Sequence, residues 1–160
     1  MVLDYITNDN TIIFNYLYNK PLRLSPELTS HYKKIIFSNY ALHAGLFEAY
    51  ENGKLKDLRL YGSEFNQPLA NSLKNCTSLT HLTFGTQFNC HLHNSLENCT
   101  VLTHLVFGHC FDQSLDNSLE NCTALTYLTF GSQFNQPLVN SLNNYTRLTH
   151  LTFGYYFNQK

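Results

Sequence analysis

With 160 residues, 13% of them charged, and a formal net charge of -1, the chain has no basic footprint for nucleic acid and no polybasic surface for an acidic membrane. No run of about 18 apolar residues offers a membrane span. The start MVLDYITNDN carries Asp4 and Asp9 where a secretory leader would have basic residues before an apolar run, so an intracellular, cytoplasmic protein is expected.

The first 54 residues are irregular. Ile12 and Phe14, Ile35 and Phe37, and then Leu58 and Leu60 nevertheless form apolar pairs separated by a constant 23 residues. Two degenerate repeats are one reading of 1–54. A small helical segment is the other, since ALHAGLFEAY at Ala41 to Tyr50 contains helix formers and stops before Asn52 and Gly53. Pro21 and Pro26 punctuate the loop before it. The shared spacing favours a cap, because the terminal unit of a repeat array must cover an apolar end with atypical sequence.

Residues 55–160 form the array proper. The segment LTHLTFGTQFNCHLHNSLENCT from Leu79 recurs with its landmarks kept: leucines at 79, 102, 125 and 148, phenylalanines at 65, 88, 111, 134 and 157. Leucines at positions 1 and 4 and an apolar residue at 6, in a period of 20 to 29, are the signature of a leucine-rich-repeat-like solenoid. The head of each unit alternates. Leu82 and Phe84 point inward and His81 and Thr83 outward, which predicts a short parallel strand on a concave sheet. Gly85, Gly108, Gly131 and Gly154 follow, where a missing Cβ suits a sharp turn. Asn71, Asn94, Asn117 and Asn140 are placed to cap a one-turn helix in NSLENC-type segments. Asn89 and Asn98 represent columns expected to bond turn carbonyls from coil to coil. Cys76, Cys99 and Cys122 share one repeat position, with Tyr145 in the fourth unit, and are expected to be buried thiols that serve as small hydrophobes. The first unit, Leu55 to Ser78, has one extra residue, Tyr61, which predicts a bulge.

FNQPL at Phe65 to Leu69 and Phe134 to Leu138, together with LTHLTFG, resembles the FNIP repeat, a leucine-rich-repeat variant of giant DNA viruses and social amoebae. NSLENCTSL-type segments also resemble BspA-like repeats. The resemblance covers Leu55 to Lys160 and implies a solenoid that binds proteins. FNIP proteins often carry an N-terminal F-box that recruits a ubiquitin ligase. Here Leu24-Ser25-Pro26-Glu27-Leu28 is the nearest fragment, and a substrate adaptor of such a ligase is the alternative function.

The candidate partner-binding residues are the outward strand positions. His81, His104, Tyr127 and His150 form one column, and Thr83, Val106, Thr129 and Thr152 the next. Stacked about 4.8 Å apart, they make an aromatic, hydrogen-bonding stripe. Its two readings are a groove for a protein partner and an ordinary solvated face. No cofactor and no metal are expected: Tyr127 interrupts the histidine column, and Cys90, His91 and His93, with His109 and Cys110, match no zinc spacing, His91 and His93 falling on opposite sides of an extended chain. No phosphate loop, nucleophile elbow or zincin motif occurs, so no enzyme is expected. Asn75, Asn98, Asn121 and Asn144 begin glycosylation sequons that are by-products of the repeat. The strand around Leu151 and Phe153 offers an edge for end-to-end self-association.

Overall fold

The structure, a computed structural model, describes residues 5–8, 10–14, 33–37, 55–61, 65–69, 73–138 and 142–159. Eight strands form one sheet in sequence order: β1 (Tyr5–Asn8), β2 (Thr11–Phe14), β3 (Lys34–Phe37), β4 (Asp57–Leu60), β5 (His81–Phe84), β6 (His104–Val106), β7 (Tyr127–Thr129) and β8 (His150–Thr152). β1 and β2 are antiparallel, and every later pair is parallel. The register puts Ile12 opposite Ile35 and Ile35 opposite Leu58, so the spaced apolar pairs of the N-terminal segment join the same sheet. The F-box-like fragment 24–28 and the helical reading of 41–50 lie outside the described residues.

A parallel ladder between neighbouring coils brings each side chain beside its equivalent one repeat away, and the core is built of such columns. Phe65, Phe88, Phe111, Phe134 and Phe157 stack with centroids 5.6 to 6.1 Å apart and planes within 7° of parallel. A second column, Phe84, Phe107, Phe130 and Phe153, runs alongside at 5.4 to 5.5 Å. The two columns touch within each coil, as Phe107 and Phe111 do at 3.9 Å. Leu82, Leu105 and Leu128 close the core beneath the strands, and Leu92 and Leu96, with their equivalents Leu115 and Leu119, close it from the far side. Each fully buried Phe or Leu contributes about 2 kcal/mol by removal from water.

The glycines have a different cause from the one their sequence position suggests. A Cβ on Gly108 would lie 1.9 Å from the carbonyl oxygen of Gly85, one on Gly131 1.9 Å from that of Gly108, and one on Gly154 2.1 Å from that of Gly131. Coil thus sits on coil too closely for any side chain, and the obstruction is backbone, which cannot swing aside. The left-handed backbone falls elsewhere, on His93 (φ 46°) and Asp116 (φ 39°), equivalent positions at the far edge of successive coils.

The expected one-turn helices are instead chained turns, and no helix occurs among the described residues. Ser95 N donates to Leu92 O, Glu97 N to Asn94 O and Cys99 N to Leu96 O, which closes three successive four-residue turns. Asn94 takes part through its carbonyl, not as a side-chain cap; Asn71 and Asn140 lie outside the described residues. The extra residue of the first unit makes no bulge in the sheet. β4 and β5 pair without interruption from Asp57 opposite His81 to Leu60 opposite Phe84, so the insertion falls between Leu60 and Phe65.

Cys76, Cys99 and Cys122 are fully buried and unpaired, with burial pushing each thiol up to about 12. Tyr145 fills the same column in the next coil and donates its hydroxyl to Leu119 O at 2.9 Å, which satisfies the one polar atom that the substitution introduces.

Two outcomes follow from this packing. Gly108→Ala is expected to destabilise the chain by about 3 kcal/mol, an overpacking cost against rigid backbone, read as a fall in the urea midpoint; an unchanged midpoint would contradict the close approach. At neutral pH, a maleimide is expected to label Cys90 and Cys110 in the native chain and the buried three only through unfolding. Because the buried thiols titrate higher folded than unfolded, the stability they contribute is complete below about pH 8.5 and is lost as pH rises toward about 12.

Candidate functional site

The outward face of the sheet carries the candidate residues in register. His81 pairs with His104, His104 with Tyr127 and Tyr127 with His150, while Thr83, Val106, Thr129 and Thr152 form the adjacent row. The structure therefore brings all eight together on one face. Three of the rings stack, His81 and His104 4.2 Å apart at 13° and His104 and Tyr127 5.5 Å apart at 20°, while His150 lies 5.5 Å from Tyr127 with its ring tilted by 32°. The first three rings are half-buried by their neighbours and His150 is exposed. In the second row, Thr129 Oγ1 is buried without a hydrogen-bond partner.

A third column sets the bases of these rings. Each strand from β5 to β8 is preceded by a threonine whose Oγ1 donates to a carbonyl of the preceding coil: Thr80 to Lys56 O, Thr103 to Thr80 O, Thr126 to Thr103 O and Thr149 to Thr126 O, at 2.9 to 3.2 Å. The same oxygens contact Nδ1 of His81, His104 and His150, each at 2.9 Å. The triplet Leu-Thr-His, repeated at Leu79, Leu102 and Leu148, was a sequence signal for this column.

The stripe extends beyond the predicted residues to β4 and β3. Asp57 stands opposite His81 and Arg59 opposite Thr83. Lys34 Nζ and Arg59 Nε each lie 3.0 Å from the Asp57 carboxylate, and Arg59 also donates to the Tyr61 hydroxyl at 3.0 Å. Burial alone would raise Asp57, but the hydrogen bonds from Arg59 and Lys34 outweigh it and hold the carboxyl below the usual range. Partial burial, followed by the adjacent His104, holds His81 below the ordinary imidazole range. The signal for Asp57 and Arg59 was present in the apolar spacing, because Leu58 and Leu60 put the residues between and before them on the outward face.

The histidine and cysteine cluster resolves differently. Cys90 occupies the column that holds Gln113, Gln136 and Gln159 in later coils, and its Sγ donates to Asn66 Oδ1 at 3.2 Å, as Gln113 Nε2 donates to Asn89 Oδ1 and Gln136 Nε2 to Asp112 Oδ1. Cys110 likewise contacts Gln87 Oε1 at 3.5 Å. Both thiols belong to the coil-to-coil bonding. His91 and His93 do not fall on opposite sides: the left-handed turn at His93 brings their rings within 5.4 Å. They line a cavity of about 370 Å³ with Asn94, Asp116, Asn117 and Ser118. Among the described residues, no three His, Cys, Asp or Glu side chains gather as a metal site.

The asparagine column works in the sense opposite to that expected. The side-chain oxygens of Asn66, Asn89, Asp112 and Asn135 accept the backbone N–H of Asn89, Asp112, Asn135 and Asn158 in the next coil, at 2.8 to 2.9 Å. An acceptor is what this position requires, so Asp112 serves as well as Asn. The Asn98 column does bond turn carbonyls, Asn98 to Lys74 O and Asn121 to Glu97 O, both at 3.0 Å.

No family model matches the sequence, and no curated protein does. Solved structures do. The chain is similar to CroV588, a circular leucine-rich-repeat protein of a giant virus, at 27% identity and a TM-score of 0.56 over 98% of this chain and 32% of that one. It is also similar to the internalin InlF of Listeria monocytogenes, at 25% identity and a TM-score of 0.60 over 83% of this chain and 36% of that one. The chain spans about a third of the length of each. With about 23 residues per coil and parallel strands throughout the array, its fold is a parallel-strand solenoid of leucine-rich-repeat-like architecture.

Cys90→Gln is expected to stabilise the chain by about 0.5 kcal/mol, since Gln restores a full N–H donor to Asn66 as in the later coils, and Cys90→Ala to destabilise it by about 1 kcal/mol. Urea denaturation of both variants is the check, and a loss of stability with Gln would contradict the assignment of the column.

Proposed function

We propose that the chain is a protein-binding module whose partner docks on the outward, concave face of the sheet, along His81, His104, Tyr127 and His150, with Thr83, Val106, Thr129 and Thr152 beside them. The observation that supports this reading is the ordering of the stripe. Four rings stand in register with their polar edges available, so aromatic area and hydrogen-bonding groups are presented at little further entropic cost. The columns behind them are committed to the stack, whereas the ring edges are not.

The same reading places residues 1–54 as a cap and 55–160 as the binding array, and groups the repeats with the FNIP type on the strength of FNQPL at 65–69 and 134–138. The five unpaired cysteines are in keeping with a reducing, intracellular setting. Self-association through the C-terminal coil is a further part of the reading.

The test is affinity capture from a eukaryotic lysate with the intact chain and with a variant changing His81, His104, Tyr127 and His150 to Ser. A partner retained by the first and lost by the second, with equal thermal stability of the two, is the expected result. Retention by both would move the site to the turn side of the solenoid.

A further inference from the structure

Each threonine beneath the histidine row has one proton to give. In the coil where Tyr127 replaces histidine, Thr126 still directs its hydroxyl to the Thr103 carbonyl, at 3.2 Å, so the carbonyl is the hydroxyl's target with or without an imidazole beside it. Thr80, Thr103 and Thr149 make the same bond at 2.9 to 3.0 Å. A hydroxyl whose proton is committed can only accept from the ring nitrogen 2.9 Å away. Nδ1 therefore carries the ring hydrogen in all three histidines, and the neutral Nε2, on the ring edge away from the threonine, is a bare acceptor. Stacking at 4.2 Å covers the faces of His81 and His104 and leaves their edges as the presented surface.

Given that this face binds a partner, we propose that the Nε2 acceptors of His81, His104 and His150 take a basic partner segment, accepting its lysine or arginine N–H groups, and release it on acidification.

Lysine and arginine are donors without acceptor capacity, so bare acceptors suit them, and charge-assisted bonds are about twice as strong as neutral ones. Protonation reverses both features of the face. Each Nε2 becomes a donor, and the row becomes cationic. Of the groups packed around it, Asp57 on β4 favours a charged His81 but is itself engaged by Lys34 of β3 and by Arg59 of its own strand, which both oppose that charge, and on β7 the neighbour is the uncharged Tyr127. Every histidine that must be neutral for binding weakens affinity up to tenfold per pH unit below its pKa, so three weaken it up to about a thousandfold per unit.

Two measurements on the full chain test this. In long-range ¹H–¹⁵N spectra at about pH 7.5, above the ordinary imidazole range, the three histidines are expected as Nδ1–H tautomers, and Thr80→Val, Thr103→Val and Thr149→Val are each expected to free the ring behind them; Nε2–H tautomers in the unmodified chain would overturn the proposal. In fluorescence anisotropy, a labelled Lys-Gly-Lys-Gly-Lys peptide is expected to bind at about pH 7.5, to weaken at least tenfold at about pH 5.5, and to lose binding to a chain carrying His81→Phe, His104→Phe and His150→Phe, which keeps ring stacking and removes the acceptors. Equal binding of the lysine-acetylated peptide, binding of a Glu-Gly-Glu-Gly-Glu peptide in its place, or no binding would each overturn it. Should captured partners still depend on the stripe while the lysine peptide fails, the basic partner class falls and the docking face stands.

Discussion

The constraint on which the rest of this structure depends is parallel register at strand spacing. Once each coil is laid on the last with equivalent residues opposed, every position must tolerate contact with its own counterpart about 4.8 Å away. Most residue types fail that requirement in the interior. Phenylalanine passes because flat rings stack, and the two columns from Phe84 and Phe65 onward are stacks of this kind. Glycine passes where backbone meets backbone, as Gly108 does against Gly85 O. Asparagine passes because its oxygen can accept the N–H of the next coil while its own N–H is accepted by the previous one. Threonine passes in the same manner, each hydroxyl donating backward to a carbonyl.

Stability in such an object comes from nearest-neighbour contacts summed along an axis. The same contacts explain how replacements are tolerated. Asp112 enters the asparagine column because that column asks only for an acceptor. Tyr145 enters the cysteine column because its hydroxyl reaches Leu119 O. Cys90 enters the glutamine column with a weak S–H donor in place of an amide, and makes the poorest version of that bond. In each case the replacement keeps the donor or acceptor sense of its column, or brings its own partner.

Periodicity makes the fold legible in the sequence: the strands, their register, the inward residues and even the N-terminal pairs at Ile12, Ile35 and Leu58 follow from a constant spacing. It could not reveal why a column holds its residue. Glycine after a strand reads as a turn former, because sequence shows only the residues before and after it, and the carbonyl that excludes a side chain belongs to a coil 23 residues away. The direction of the asparagine bonds was hidden for the same reason. His91 and His93 were misplaced because alternation assumes an extended chain, and the left-handed backbone at His93 leaves no mark that an Asn or Gly would have left. Of the candidate site, the two outward columns are legible in the repeat itself, whereas Asp57 and Arg59 are masked by a coil that departs from the consensus.

The distinction between columns that the stack uses and columns that it leaves free bears on function. A position that must satisfy its neighbour above and below has no capacity left for a partner, however conspicuous it is in the sequence; the asparagines, buried cysteines and glycines are of this kind. The outward histidines are half committed. The Nδ1 atoms of all three belong to the threonines, and the faces of His81 and His104 belong to the stack, so that on these two only one edge of each ring is open. A surface made in this way has its geometry set by the fold and its chemistry set by the few atoms that the fold does not use. Recognition on this solenoid therefore depends less on which side chains are exposed than on which of their atoms remain unspent.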